Sequence, residues 1–260
     1  MRLTFLGTGT STGVPAIGCR CAVCLSTDPR NRRLRTSALL QTGTAQVLID
    51  AGPDLRQQLL ATNVTRLDAV LLTHSHADHV AGLDDLRPLN MVQHASIPLY
   101  GSARTLRDVR RRFDYAFSDS SLGSSRPQLE LCEIQSYQPF QLGDLEVMPL
   151  DVQHGSWLIT GFRIGGLGYV TDASAIPGAS LDLLGGLDVL VLNALRDGPH
   201  PTHFSLEQAL GVIEELRPRR ALLVHMTHDL DHTATNARLP EHIRLAHDRL
   251  VVEVDDTVSM

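Results

Sequence analysis

The sequence predicts an α/β protein in which β-sheets are sandwiched between layers of helix. Three observations carry this. Apolar, strand-like runs alternate with helix-period segments in the early part of the chain and again in its last third. The middle, from about Gln128 to Asp172, is strand-rich with Gly-bearing turns. No Pro/Gly/Ser-rich linker separates two compositions, so residues 1–260 are expected to form one domain.

The elements follow in order. "RLTFLGTG" reads as a strand ending in a Gly/Thr turn, and "AQVLID" as a second, buried strand. "AGPDLRQQLLAT" reads as a helix with Pro53 just inside its start. "LDAVLLTH" is an apolar strand ending in polar residues, and "HADHVAGLDDLRPLN" continues as loop and helix. "SIPLYG" predicts a strand and "ARTLRDVRRRFDYAF" an amphipathic helix. "SDSSLGSSRPQ", Ser118 to Gln128, predicts a mobile loop. "LELCEI", "LEVMPLDV", "ITGFRIGG" and "LGYVTD" predict strands joined as antiparallel hairpins. "LDVLVLNAL" and "ALLVHMTH" predict strands flanking the helix "SLEQALGVIEELRP", where Ser205 as N-cap and Gln208 form a capping box.

Hydrophobic residues make up 43% and charged residues 20% of the 260, the balance of a soluble globular protein. No apolar run is long enough to span a bilayer, and the N-terminus turns glycine-rich too early for a secretory signal, so a cytoplasmic protein is expected. A net charge of −6 argues against extended nucleic-acid binding. Two basic runs, Arg30 to Arg35 and Arg107 to Arg112, are either solvated faces or phosphate-recognising groups near a site rim. A homodimer is the default oligomeric expectation.

Cys19, Cys21 and Cys24 crowd into "GVPAIGCRCAVC", although the chain has 4 cysteines in all. Three such thiols can form a strained disulfide, share a metal or pack as small residues. A reducing compartment favours the metal, and a tetrahedral zinc needs a fourth ligand from elsewhere. His228, Cys132 and His232 all compete for that place. Cys132 lies in an apolar strand and reads more naturally as a buried core thiol.

The 12 histidines are the more unusual feature. In "LLTHSHADHVAGL" a strand runs into a tight loop bearing His74, His76, Asp78 and His79. Side chains two apart at a strand end share a face, so His74 and His76 can converge on one cation while Asp78 and His79 hold another. Asp50, at the end of the preceding strand, can orient a ligand from behind. "GTGTSTG" lacks the Lys of a P-loop and predicts a tight turn under the metal site.

The H-x-H-x-D-H pattern at residues 74 to 79, together with "LIDAG", "PLDVQHGSW", "YVTDAS" and "LLVHMTH", resembles the metallo-β-lactamase superfamily over almost the whole chain. The resemblance implies a four-layer αββα sandwich, with His74, His76 and His154 at one metal, Asp78, His79 and His225 at another, and Asp172 shared. It implies two catalytic divalent cations, Mn²⁺ or Zn²⁺. An Asp at the bridging position points towards hydrolases and phosphodiesterases rather than lactam hydrolysis. The C-x-C-x-x-C cluster with "HMTH" resembles the phosphodiesterases of the carbon–phosphorus lyase pathway (PhnP type). That likeness implies a separate structural Zn²⁺ on Cys19, Cys21, Cys24 and His228, and a small phosphodiester substrate such as a ribosyl 1,2-cyclic phosphate or a 2′,3′-cyclic nucleotide. His203, just before a helix, matches the family's proton donor. His203 and Asp78 are thus the expected catalytic groups, serving attack by a metal-bridging hydroxide.

Rival readings are a tRNA 3′-processing endonuclease, a thioester or lactone hydrolase, and a non-catalytic metal or ligand carrier of the same fold, like the protein of pyrroloquinoline quinone synthesis. The tRNA enzyme's protruding basic arm has no counterpart in the sequence. Asn193, in "VLVLNALRDGPHP", departs from the acidic residue typical of the pathway enzyme, which leaves the substrate open.

Overall fold

The computed structural model describes residues 1–118 and 125–255, so the centre of the expected 118–128 loop lies outside the described residues. The strands are β1 (Arg2–Gly7), β2 (Ser37–Gln41), β3 (Gln46–Ile49), β4 (Ala69–Leu71), β5 (Ile97–Gly101), β6 (Leu129–Glu133), β7 (Phe140–Leu142), β8 (Leu145–His154), β9 (Trp157–Ile164), β10 (Leu167–Val170), β11 (Val189–Asn193), β12 (Arg220–Val224), β13 (Ile243–Leu245) and β14 (Val251–Glu253). They form two seven-stranded sheets, ordered β14-β1-β2-β3-β4-β5-β6 and β13-β12-β11-β10-β9-β8-β7. The helices are α1 (Leu55–Ala61), α2 (Ala77–Val80), α3 (Arg87–Gln93), α4 (Ala103–Arg112), α5 (Asp114–Phe117), α6 (Gly178–Leu183), α7 (Leu206–Leu216) and α8 (His232–Asn236).

Alternation along the strands sorts the core into three apolar layers. Val47, Ile49, Leu71, Val189, Val191 and Val224 face the space between the sheets, where they meet Phe5, Phe162 and Tyr169. Their neighbours Leu48, Val70 and Leu72 face the other way, onto Leu55, Leu106 and Val109 of α1 and α4. Leu190, Leu192 and Leu223 likewise turn onto Ala209 and Ile213 of α7. Strands buried on both faces read as continuous apolar runs, which is why β11 and β12 are legible in the sequence. The result is the αββα sandwich.

Several details depart from the sequence reading. Pro53 precedes the helix rather than opening it: α1 begins after Asp54, whose carboxylate accepts from the Arg35 amide at 2.8 Å. The helix expected over residues 103–117 breaks at Phe113 (φ −116°, ψ 41°), whose ring is buried in the core. Cys132 is half-buried rather than a core residue, because β6 is the edge strand of its sheet. The capping box at Ser205 and Gln208 is present as expected. No helix among the described residues is long and apolar enough to cross a membrane.

Candidate metal centre

The parallel pairings β3–β4 and β10–β11–β12, with β8 running the same way as β10, bring several carboxyl ends to one edge of the sandwich. Open α/β sheets bind ligands at that edge. Asp50 follows β3, His74 and His76 follow β4, and Asp78 and His79 lie in the one-turn α2. His154 ends β8, Asp172 lies two residues beyond β10, and His225 follows β12. Asp50, Asp172 and His225 take left-handed backbone (φ 61°, 59° and 57°), a conformation unfavourable for non-glycine residues and held here by the surrounding structure.

Two sets of donors form, each with its ligand atoms within 4.8 Å of one another: His74, His76 and His154; and Asp78, His79, Asp172 and His225. Asp172 lies between them, with Oδ1 3.4 Å from His79 Nε2 and Oδ2 3.2 Å from His225 Nε2 and 3.9 Å from His74 Nε2. The imidazoles are aimed from behind. His154 Nδ1 faces the carbonyls of Asp172 (2.7 Å) and Thr202 (2.8 Å), so it must carry the proton and leave Nε2 free. Asp50 Oδ2 sits 2.7 Å from His79 Nδ1 and accepts from Thr73 Oγ1 at 2.8 Å. The Thr73 oxygen is then left to accept from His74 Nδ1 at 3.0 Å. Such outer contacts fix tautomer and ring direction in metal sites.

The residues fit a cation. His74 Nε2, an unprotonated nitrogen by this chain of hydrogen bonds, faces His76 Nδ1 at 2.9 Å, so a proton or a cation belongs beside them. Burial pushes His74 well below the usual imidazole range, reinforced by the charge of His79. Burial also acts to lower His79, but Asp172, Asp78 and Asp50 outweigh it and drive its pKa well up. Burial would raise Asp172, yet His225 and His79 hold it well down. Three buried carboxylates therefore demand positive charge, which a divalent cation supplies without protonating His79.

Cys19, Cys21, Cys24 and His228 form a separate set with the same 4.8 Å compactness. Cys24 Sγ lies 3.2 Å from His228 Nδ1 and accepts from the Ala16 amide at 3.4 Å. Burial pushes the Cys24 thiol up to about 11, so a thiolate there calls for a cation. Three cysteines and a histidine, with no open carboxylate, suit a closed tetrahedral zinc. Cys132 and His232 stand outside this set.

His203 stands at the rim, its Nε2 3.1 Å from Asp172 Oδ2, with Thr202 Oγ1 2.9 Å and His200 Nδ1 3.2 Å from its Nδ1. The glycine-rich turn lies alongside, its Thr8 and Thr10 backbone paired with Met226, directly after His225. Within the first basic run, Arg33 is structural: buried, it donates to the Thr227 and Leu230 carbonyls. The sequence reading missed three supports. Thr73 relays Asp50 to His74. Asn193 braces the turn after Asp172, accepting from the Ala173 amide at 2.6 Å and donating to its carbonyl at 3.0 Å. Trp157 packs its ring 5.1 Å from that of His76. A Thr before the first motif histidine and a buried amide at a strand end were the available signals for the first two.

Two sheets between helical layers, with His and Asp at the strand ends, define a protein of metallo-β-lactamase fold with a candidate metal centre. Residues 45–226 match the β-lactamase superfamily domain, and the chain belongs to that family. Within it the chain stands near PhnP. A crystal structure described as a new diphosphatase from the PhnP family is 42% identical, with TM-score 0.92 over 99% of each chain. Zn²⁺-bound PqqB from Methylobacterium extorquens is 21% identical, with TM-score 0.77 over 97% of this chain and 100% of that one, and shares the fold. Among curated proteins, an octanoyltransferase of Porphyromonas gingivalis is 40% identical over 259 residues, 98% of this chain and 52% of its own length. A coenzyme PQQ synthesis protein B of Methylobacterium nodulans is 41% identical over 101 residues, 34% of each. The chain thus spans about half the length of the first of these curated relatives and a third of the second.

Proposed function

We propose that the chain is a metal-dependent phosphodiesterase acting on small phosphodiesters, cyclic phosphates foremost. The observation that carries this reading is His203, 3.1 Å from Asp172 and 12% exposed at the mouth of the donor clusters. His74, His76 and His154 would hold one cation, and Asp78, His79 and His225 a second, with Asp172 common to both. When bound, two such cations, Mn²⁺ or Zn²⁺, neutralise phosphoryl oxygens and make hydroxide available at neutral pH.

The protein's own contribution is orientation and a proton. Asp172 holds Nε2 of His203 towards the site, and Thr202 and His200 fix the ring from the Nδ1 side. Burial lowers the basicity of His203 and Asp172 opposes it. The negative charge of an incoming phosphoryl group acts in the same direction as Asp172, favouring the protonated ring. The Nε2 proton then passes to the leaving alkoxide, whose proton affinity makes this transfer worth roughly 10²–10⁴ in rate. The Cys₃His set would hold a structural zinc that ties the 13–24 loop to the segment after β12.

A second reading, hydrolysis of a diphosphate, is favoured by the 42% identical PhnP-family diphosphatase. The two differ in leaving group, since a phosphate leaving group needs far less help from an acid than an alkoxide does. Initial rates on a 2′,3′-cyclic nucleotide and on a nucleoside diphosphate sugar, with Mn²⁺-loaded protein and with His203→Ala, separate them. The phosphodiester reading expects chelator-sensitive turnover of the cyclic nucleotide that collapses in His203→Ala. Turnover of the diphosphate alone, little changed in the variant, would replace it with the second reading.

A further inference from the structure

We propose that a groove formed by the segment from Val14 to Leu34, α1 and the turn before β14 is a second binding site, one that takes a small organic anion: a phosphate, sulfate or carboxylate head on an apolar body. A cavity of about 720 Å³ lies there, within the size range of small-molecule sites. None of the metal-donor residues lines it, so it stands apart from the candidate metal centre and from the reading of that centre's chemistry. Arg30, Arg32 and Arg33 of the first basic run do line it.

Hydrogen bonds hold the three contributing segments at fixed positions. Val14 and Arg33 exchange backbone bonds of 2.8 Å in both directions. The Leu34 amide donates to Asp248 Oδ2 at 2.7 Å, and the Arg249 amide to the Phe5 carbonyl at 2.7 Å. From α1, Gln58 Nε2 donates to the Arg35 carbonyl at 2.9 Å. The walls are thus tied through backbone groups and the groove is already formed. Leu6, Val14, Pro15 and Ala61 give it apolar surface.

Charge decides what such a groove holds. Arg30, Arg32, Arg33 and Arg249 stand in its wall against one carboxylate, Asp248, whose two oxygens already accept from Thr8 and Leu34. Arg30 pairs with Asp28 at 2.8 Å, but among the described residues no carboxylate pairs with Arg32, Arg33 or Arg249. Arg249 also takes left-handed backbone (φ 68°), where glycine or asparagine would sit with less strain. What the arginine adds to that turn is its guanidinium beside the groove. Two buried atoms of wall residues, Arg33 Nε and Gln58 Oε1, have no hydrogen-bond partner. The first suits an anionic oxygen, and the second a hydroxyl or a water carried with it. Guanidinium forks match phosphate, sulfate and carboxylate oxygens, while the apolar surface asks for carbon behind the head group.

The test uses anilinonaphthalene sulfonate, an anion with an apolar body whose fluorescence rises on leaving water. Metal-loaded wild type should bind it saturably, one per chain, and n-butyl phosphate should displace it where inorganic phosphate and n-butanol do not. The double variant Arg32→Gln/Arg249→Asn, in which asparagine tolerates the left-handed backbone, should weaken the probe roughly tenfold or more. Ala61→Trp, at an exposed position ending α1, fills the groove and should abolish binding. Arg66→Gln/Arg244→Gln removes the same charge outside the groove and should leave the affinity unchanged. Equal weakening by both arginine pairs, or displacement by inorganic phosphate alone, would reduce the effect to general charge and overturn the site. Binding that survives Ala61→Trp, or no saturable binding to wild type, overturns it as well.

Discussion

Asp50 Oδ2 lies 2.7 Å from His79 Nδ1, with both side chains buried and Asp50 in left-handed backbone. The same oxygen accepts from Thr73 Oγ1, which contacts His74. One carboxylate therefore orients an imidazole in each donor set. Asp50→Ala should weaken the affinity of the centre for Mn²⁺ or Zn²⁺ by roughly 10–100-fold, the usual effect of losing such a support. Competition against a chelator reads this, with far-UV circular dichroism reporting that the sheets persist. Unchanged affinity would show that Asp50 serves the sheet edge and not the donors.

The Cys₃His set makes a separable prediction. Cys21→Ser should remove one zinc per chain and leave the catalytic cations in place. Because the 13–24 loop is pinned there to His228, the melting temperature should fall by roughly 5 °C or more, at about 2–4 °C per kcal/mol for a chain of this size. Metal analysis beside a thermal melt decides it. Full zinc content in the variant would mean that the thiols only pack.

What the sequence disclosed and what it withheld divide along physical lines. β3, β4, β11 and β12 were legible because both faces are buried, and the H-x-H-x-D-H run because its residues are adjacent in sequence. Asp172 and His225 were legible through resemblance, each being a lone polar residue at the end of an apolar strand. Edge elements such as β7, β13 and β14 are three residues each and carry no periodicity to read. Thr73 and Asn193 were missed in their supporting roles because those roles exist only once β4, β10 and β11 are in register. Asp50, by contrast, was anticipated as a support because it ends a strand just before the motif.

Asn193 offers a test of such register-dependent support. Its amide is buried and satisfies both the N–H and the carbonyl of Ala173, the residue after Asp172. Asn193→Leu leaves the Ala173 N–H without a partner inside the protein, while the Ala173 carbonyl keeps the Phe204 amide at 2.6 Å, and should cost about 1–3 kcal/mol of stability. Because the turn carries Asp172, metal affinity should fall as well. Urea denaturation and chelator competition report the two effects. A loss of stability with metal affinity intact would show that the turn holds Asp172 without the amide.

Asp248 joins the N-terminal turn to the C-terminal segment, accepting from the Leu34 amide at 2.7 Å and the Thr8 hydroxyl at 2.8 Å. Burial outweighs these donors and pushes its pKa up to about 6 from an ordinary 3.8. The folded protein therefore holds this proton more tightly than the unfolded chain. The stability it contributes, up to about 3 kcal/mol, is fully present below the unfolded pKa and is lost as pH rises through the folded one. Asp248→Asn cannot titrate, so the stability of wild type relative to this variant should decline between about pH 4 and pH 7. Urea denaturation of both proteins across that range reads the difference, and the metal sites, common to both, cancel. A relative stability that rises with pH would mean that the Leu34 and Thr8 donors prevail over burial and keep Asp248 ionised in the folded protein.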